Sequence, residues 1–143
     1  DNTFVHRDFH VSNLMSFKNK IGLIDSQDAL IGNKAYDLAS LIDDVRLKTS
    51  KSFKDKIFKL YIKKQKKLDT KKFKNDFEIL SILRNLKIIG IFTRLAMRDR
   101  KKKYLKLIPH AWDLIAIRIN KNKIFNELKN LINENFEKKL NEN

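Results

Sequence analysis

The spacing of apolar residues changes once along the chain, near residue 35. Up to that point the apolar residues stand in short runs between polar clusters, and beyond it they recur at intervals of three and four. Short runs bounded by polar clusters predict strands, whereas intervals of three and four predict amphipathic helices. The pattern therefore indicates a small β element at residues 1–35 and a helical region at residues 36–143.

Three apolar runs, at residues 4–5, 14–17 and 21–24, predict the strands of the β element. Residues 18–20 (Lys-Asn-Lys) are short enough for a tight turn, so the second and third strands should form a hairpin. Residues 7–13 are polar and lack helical periodicity, which predicts a loop. Loops held by a rigid scaffold are where functional residues concentrate.

The helical region predicts five helices, of which the third is the longest. The middle of that third segment is apolar on most sides, so we expect it to be the central buried helix. Thr70 can cap its beginning, and Pro109 suits the first turn of the fourth helix. The five segments are residues 36–48, 52–68, 70–98, 110–119 and 125–140. The expected fold class is α+β and mainly α.

Composition agrees with one packed domain. The chain has 143 residues, of which 42% are hydrophobic, and a chain of this length can bury a core. Three Gly and one Pro leave little room for a turn-rich all-β fold. The absence of Cys excludes a disulfide framework and a thiolate metal site, and it suits a reducing, cytoplasmic compartment. No run of about 18 apolar residues occurs, so we expect no membrane partner.

The net charge of +15 needs an explanation before it is assigned a function. The chain has 25 Lys but only 7 Arg, and the Lys residues are scattered along its length. Nucleic-acid binding favours Arg, whose planar fork matches phosphates and guanine edges. We therefore expect no nucleic-acid partner and interpret the charge as a solvated basic surface that also attracts anionic ligands. An RNA-binding domain is the alternative, and it would need a clustered basic face with exposed aromatic residues.

The densest set of chemical groups lies in the predicted loop and just after the hairpin. Asp8 and Asn13 lie near the two ends of the loop, and Asp25 follows the third predicted strand. A loop that returns into a hairpin should bring these side chains together. An amide and a carboxylate oxygen suit Mg²⁺, which leaves Asp8 to accept a proton, as phosphoryl transfer requires. The alternative is three unrelated turn residues, since Asp and Asn are common in turns.

The order of these residues resembles the catalytic segment of the protein-kinase-like fold. An Asp-x4-Asn loop follows His6-Arg7, and a hairpin then leads to Ile24-Asp25. Residues 25–32 and the sequence Tyr-Asp-Leu-Ala at 36–39 are similar to the aminoglycoside phosphotransferase and choline kinase branch. Segments 4–15, 25–32 and 90–99 resemble the bacterial kinases that phosphorylate N-acetylmuramate and N-acetylglucosamine at the anomeric hydroxyl.

This resemblance implies roles for individual residues. Asp8 would accept the proton of the substrate hydroxyl, and Asn13 and Asp25 would hold Mg²⁺ on the phosphates of ATP. The supporting residues fall into two groups: substrate or second-metal contacts at His10, Gln27 and Asp28, and structural support of the loop at His6, Arg7 and Asp37.

The remaining ATP-binding parts of this fold cannot be located in the chain. No Gly-rich phosphate loop and no strand Lys with a helical Glu partner are found, and the resemblance assigns both to an N-terminal lobe. The chain should therefore be a single partial domain at 1–143, the C-terminal lobe, with the catalytic loop and hairpin at 1–35 and a helical subdomain at 36–143. Its expected partner is the N-terminal lobe of its own parent chain, and the isolated fragment should be inactive.

The implied function is that of a cytoplasmic, ATP- and Mg²⁺-dependent small-molecule kinase. The acceptor would be an amino sugar such as N-acetylmuramate or N-acetylglucosamine, which implies a place in peptidoglycan recycling. Two alternatives stay open: a kinase of the aminoglycoside or choline type with another acceptor, and a helical binding module that kept the motif without its chemistry.

Overall fold

A computed structural model describes residues 2–136. The chain forms two compact units, Asp1–Leu80 and Ser81–Asn143, and the boundary between them falls within the longest helix. The described residues are mainly helical and include two small sheets, which confirms the expected α+β, mainly α class. Each unit is described below by itself.

Both sheets lie in the first unit and are two-stranded and antiparallel. Strands β2 and β3 form the predicted hairpin, which pairs Leu14 with Leu23 and Phe17 with Lys20. Its turn consists of Lys18 and Asn19, both with positive φ (44° and 61°), as a two-residue hairpin turn requires. The four strands are β1 (Asn2–Val5), β2 (Leu14–Phe17), β3 (Lys20–Leu23) and β4 (Leu30–Asn33).

Strand β4 was not predicted from the apolar pattern. It pairs with β1, with Phe4 opposite Ile31 and Val5 opposite Leu30. Its pairing partner lies far away in sequence, so no local hairpin pattern indicates it. Because β1 pairs with β4, the two ends of residues 6–29 lie close together. We name this segment, which leaves the small sheet and returns to it, the excursion. That excursion contains every candidate site residue except Asp37.

Helices α1 (Ala35–Ile42) and α2 (Lys51–Lys64) and the beginning of α3 (Thr70–Met97) form the core of the first unit. Ser50 begins α2, because its hydroxyl accepts a hydrogen bond from the Phe53 N–H at 3.2 Å. Aromatic rings of α2 pack on α3, with Tyr61 stacked on Phe73 at 5.3 Å between ring centroids. The buried core residues are Ala35, Leu38, Ala39, Ile42, Phe73 and Phe77.

The first two helices end earlier than the apolar spacing predicts. Helix α1 ends at Ile42 rather than at residue 48, because Asp43 leaves the helical conformation (φ −108°, ψ 43°) and its side chain pairs with Lys54. Helix α2 ends at Lys64 rather than at residue 68. Beyond these ends, Val45 is buried and Leu68 is half-buried, although neither lies in a helix. Apolar spacing alone cannot distinguish such residues from helical ones.

The second unit contains the rest of α3 together with α4 (Ile108–Ile119) and α5 (Asn126–Asn135). The prediction of one long helix at 70–98 is confirmed by α3 to within one residue. Pro109 lies in the first turn of α4, as expected. Leu140, which was expected to end the last helix, lies outside the described residues. Among residues 2–136, no helix combines the length and apolarity needed to cross a membrane.

Candidate active site

The candidate site is built on residues 6–13, which we name the site loop. It leaves β1 at Val5 and turns at once, because Arg7 adopts a positive φ of 72°. Two local hydrogen bonds compact it: the His10 N–H donates to the Asp8 carbonyl at 3.0 Å, and the Asn13 N–H donates to the His10 carbonyl at 2.9 Å. The loop ends in a short 3-10 turn at Val11–Asn13 and runs directly into β2.

Asp37, in the first turn of α1, holds the beginning of the site loop. Its Oδ2 accepts from the His6 backbone N–H at 2.7 Å, and its Oδ1 accepts from the Arg7 backbone N–H at 3.0 Å. Hydrogen bonds to a carboxylate are stronger than those between neutral groups. They fix the backbone where a residue other than glycine has to adopt an uncommon left-handed conformation.

Asn13 connects the two ends of the site loop. Its side-chain Nδ2 donates to the Asp8 carbonyl at 3.0 Å, and the side chain is largely buried. Because Nδ2 is used in this way, Oδ1 is the side-chain atom that can still act as an acceptor or a metal ligand. The Asp8 carboxylate is half-buried and makes no hydrogen bond or ion pair to any residue within 2–136.

Asp25 is brought to the same end of the hairpin by the backbone. The Ile24 N–H donates to the Asn13 carbonyl at 3.1 Å, which extends the β2–β3 pairing by one step. Asp25 follows immediately, is exposed, and turns the chain with a φ of 67°. The structure therefore brings the backbone of Asn13 next to the residue that precedes Asp25.

The donor set can be compared with what a divalent ion requires. Residues 2–136 contain no group of three or more His, Cys, Asp or Glu side chains arranged to hold a metal. An amide from Asn13 and a carboxylate from Asp25 are both hard oxygen donors. Mg²⁺ is commonly bound by one or two protein oxygens, with waters and substrate phosphates completing its shell, so these two residues fit that ion.

The remaining predicted site residues differ in their exposure. Gln27 and Asp28 are exposed in the segment before β4, where the Ala29 N–H closes a turn on the Ser26 carbonyl at 3.1 Å. Arg7 reaches this segment, because its Nη1 donates to the Asp28 carbonyl at 3.4 Å. This exposed contact connects the site loop to the segment before β4.

The two histidines of the site loop are buried. Neither ring nitrogen of His6 has a hydrogen-bond partner among the described residues, and the ring meets Phe9 edge-on at 6.3 Å between centroids. The contribution of His6 to the loop is therefore made through packing and through its backbone N–H. His10 is also largely buried and precedes the 3-10 turn in an extended conformation.

Two cavities border the site loop, and neither is lined by Asp8, Asn13 or Asp25. The larger, of about 550 Å³, is lined by β1, α1 and α2 and includes Phe9, Asp37 and Tyr61. Burial raises the pKa of the Tyr61 phenol, so its hydroxyl is protonated at neutral pH and can donate a hydrogen bond. The smaller, of about 180 Å³, is almost wholly apolar and is lined in part by Val11.

Sequence reasoning missed the carboxylates that follow α1. Asp43 and Asp44 are almost completely buried, and Asp44 contacts the site loop at Val11. Two consecutive acidic residues at the end of an apolar helical run are unusual, since Asp is rarely buried without a partner. This pair of acidic residues in the sequence could therefore have indicated that Asp43 and Asp44 have a role.

Comparison with known proteins identifies a matching family. Residues 1–70 match the model of the phosphotransferase enzyme family. This match confirms the family that the motifs in residues 1–70 resemble.

Three similar proteins share the name N-acetylmuramate/N-acetylglucosamine kinase. The protein of Caulobacter vibrioides is 33% identical over 114 residues, which cover 76% of this chain and 31% of the relative. The protein of Neisseria meningitidis is 38% identical over 112 residues (74% and 34%), and that of Pseudomonas aeruginosa is 30% identical over 135 residues (90% and 40%). The chain thus spans about a third to two-fifths of the length of these curated relatives.

Proposed function

We propose that the full-length protein is an ATP-dependent kinase that transfers the γ-phosphoryl group to a hydroxyl of a small molecule. The observation that carries this proposal is the arrangement around Asn13. Its Nδ2 donates a hydrogen bond to the Asp8 carbonyl, and its backbone carbonyl accepts one from the N–H of Ile24, the residue before Asp25. One residue therefore joins a candidate base to a candidate metal ligand, which is the pairing that phosphoryl transfer needs.

Each of the three residues has one task in this proposal. Asp8 orients the acceptor hydroxyl and accepts its proton, since its carboxylate has no partner within residues 2–136. Asn13 and Asp25 hold Mg²⁺ against the phosphates of ATP through one amide and one carboxylate oxygen. The bound ion neutralises phosphate charge.

Six further residues support these three. Asp37 fixes the backbone of His6 and Arg7, so that the site loop keeps its turn. The exposed Gln27 and Asp28 and the buried His10 are proposed to contact the acceptor or a second metal. These roles follow from the resemblance and from the location of each residue on or beside the site loop.

The acceptor proposed is the anomeric hydroxyl of an amino sugar such as N-acetylmuramate or N-acetylglucosamine. The support is that several relatives with this name align with 74–91% of the chain. A cytoplasmic location and a role in peptidoglycan recycling are part of the same proposal. The chain itself is proposed to be the C-terminal lobe, with ATP held between it and an N-terminal lobe of the parent protein.

A substrate screen of the full-length protein tests this function. Purified protein is incubated with ATP and Mg²⁺, and the acceptors are N-acetylmuramate, N-acetylglucosamine, kanamycin and choline. Turnover is followed by coupled ADP release, and the position of the phosphate is assigned by ³¹P NMR. Preferred phosphorylation of the anomeric hydroxyl of an amino sugar is the expected result. Preference for kanamycin or choline would replace the acceptor, and no turnover with any acceptor would favour a non-catalytic binding module.

A further inference from the structure

A second carboxylate, which is buried, holds the site loop at the end opposite to Asp37. The Oδ2 of Asp44 accepts from the Val11 backbone N–H at 3.1 Å. Its Oδ1 accepts from the backbone N–H of Arg46 at 3.0 Å and from the Arg46 Nη1 at 3.2 Å. Asp44 is 1% exposed, so both oxygens act in a region shielded from water. Each oxygen has a defined partner, and only Oδ2 reaches the loop.

The neighbouring Asp43 provides a natural contrast. It is equally buried, but its carboxylate pairs with the Nζ of Lys54 at 3.2 Å, and the same Nζ donates to the Ile42 carbonyl. These contacts join the end of α1 to α2. The Asp44 carboxylate instead contacts the backbone of the site loop at Val11.

We propose that Asp44 is a positioning residue for the reaction, which acts by fixing the backbone of the site loop at Val11. This inference rests on the proposed kinase function. The loop is held at His6 and Arg7 by Asp37 and at Val11 by Asp44, and Asp8 lies between the two anchors. Asn13 follows Val11 by two residues in the same 3-10 turn. The second anchor thus controls both the candidate base and a candidate metal ligand without touching substrate.

Loss of this anchor should reduce catalysis more than binding. Displacement of a reacting group by about 1 Å can reduce the rate by about a hundredfold, because the transition state depends on alignment. The proposed N-terminal lobe would also contact ATP, so ATP binding should be less sensitive to the loop than catalysis is. We expect kcat of the Asp44→Ala variant of the full-length protein to fall about tenfold to a hundredfold, while KM for ATP changes by less than about threefold.

Val11→Pro removes the hydrogen bond from the other side and leaves Asp44 intact. Val11 is the first residue of the 3-10 turn, a position where proline is tolerated. His10 is already extended (φ −135°, ψ 166°), as the residue before a proline prefers. Val11→Ala is the matched control, because it trims the side chain and keeps the N–H.

The double variant decides whether the two residues act through one contact. We expect Val11→Pro and Asp44→Ala to lower kcat by similar factors, and their combination to lower it no further. Val11→Ala should keep kcat within about threefold of the wild type. Full kcat in Val11→Pro, or losses that multiply in the double variant, would overturn the proposal. Val11→Pro keeps the test decisive if Asp44→Ala does not fold.

Amide hydrogen exchange separates this inference from the proposed function. In the full-length protein, the amide of residue 11 should exchange at least about tenfold faster in Asp44→Ala than in the wild type, and it should stay protected in Val11→Ala. If the protein phosphorylates no acceptor, the proposed function fails, and the exchange rate still decides whether Asp44 anchors the loop. An unchanged Val11 exchange rate would overturn the anchor whatever the activity.

Discussion

The chemistry of the candidate site depends on which atoms of each side chain are already engaged in hydrogen bonds. Asn13 illustrates this, because its Nδ2 donates to the Asp8 carbonyl and only Oδ1 is left for another partner. A carboxylate at this position could not donate, so Asn13→Asp would add a charge but lose the connection to Asp8. Asp37 shows the opposite case, since both of its oxygens are occupied by backbone N–H groups and neither is needed for chemistry.

Replacement of Asp8 tests the base directly. In the full-length protein, Asp8→Asn should lower kcat at least about a hundredfold, the usual scale for losing a general base. KM for the acceptor should change little, because asparagine keeps the size of the side chain and one acceptor oxygen. Steady-state kinetics with ATP and the best acceptor measure both quantities. Near-normal turnover would exclude Asp8 as the base.

Replacement of the two proposed metal ligands should produce graded losses. Asp25→Ala removes a charged oxygen donor and should abolish the dependence of ATP affinity on Mg²⁺. Asn13→Ala removes a neutral donor and should weaken this dependence less. Nucleotide binding titrated with Mg²⁺ in the full-length protein measures the effect, and Gln27→Ala is the control. An unchanged Mg²⁺ dependence in Asp25→Ala would place the metal elsewhere.

At the level of elements, the site is an excursion fixed where it enters and leaves the β1–β4 sheet. Arg7 and Asp25 both adopt a positive φ, one soon after β1 and one just after β3. Such conformations cost roughly 1–3 kcal/mol in residues other than glycine and persist when surrounding contacts determine them. Asp37 supplies those contacts at Arg7, and the Ile24–Asn13 hydrogen bond precedes Asp25.

The β1–β4 sheet should depend on Gly32. A Cβ added there would lie 2.9 Å from Cγ2 of the buried Val5, a short and stiff side chain that has little room to move. We expect Gly32→Ala to lower the free energy of unfolding by about 1–3 kcal/mol, the usual cost of overpacking. Urea denaturation followed by circular dichroism measures it.

Gly90→Ala is the matched control for the same substitution. Gly90 lies within α3, and apart from the local backbone of that helix no atom comes within 4 Å of a Cβ added there. Alanine favours a helix over glycine by about 1 kcal/mol, so this variant should be slightly more stable. Equal destabilisation of both variants would show that the close approach at Val5 is not the cause.

Local features could be predicted from the sequence, and long-range ones could not. The β2–β3 hairpin could be predicted because its turn and both strands lie within ten consecutive residues. Strand β4 escaped prediction because its partner is near residue 2, about thirty positions away. The end of α1 also escaped, since Asp43 and Asp44 are stabilised by Lys54 and Val11, which a local pattern cannot reveal.

The site residues follow the same division. The neighbourhood of Asn13 and Asp25 could be expected, because the hairpin between them returns the chain to its starting point. The bond from Asn13 Nδ2 to the Asp8 carbonyl and the two carboxylates behind the loop depend on side-chain packing. Motif spacing therefore indicated which residues to examine, and only the three-dimensional structure revealed how the loop is held.

At the level of the whole chain, the three glycines limit what the 143 residues can bind. They stand at positions 22, 32 and 90, each far from the others in sequence. A phosphate-binding loop of the glycine-rich kind needs several glycines within about six residues so that backbone N–H groups can approach the phosphates. No such loop can be formed by this sequence, so Asn13 and Asp25 would meet ATP without those backbone donors.

The 143-residue chain expressed alone should therefore fold and yet be catalytically silent. Helix α3 and the helices of each unit bury aromatic and aliphatic side chains, so we expect a strong helical circular dichroism signal and a cooperative thermal transition.

Without phosphate donors the γ-phosphate is not aligned with the acceptor, and much of the roughly 7–11 kcal/mol that orientation can supply is lost. Exposed apolar residues of the sheets, including Phe4, Phe17 and Ile31, also favour association of the isolated chain, which sedimentation velocity can detect. A coupled ATP assay with N-acetylmuramate and N-acetylglucosamine should give no turnover above that of its own Asp8→Asn variant. Robust activity that disappears in that variant would contradict the prediction and would mean that these residues alone provide every contact the phosphates require.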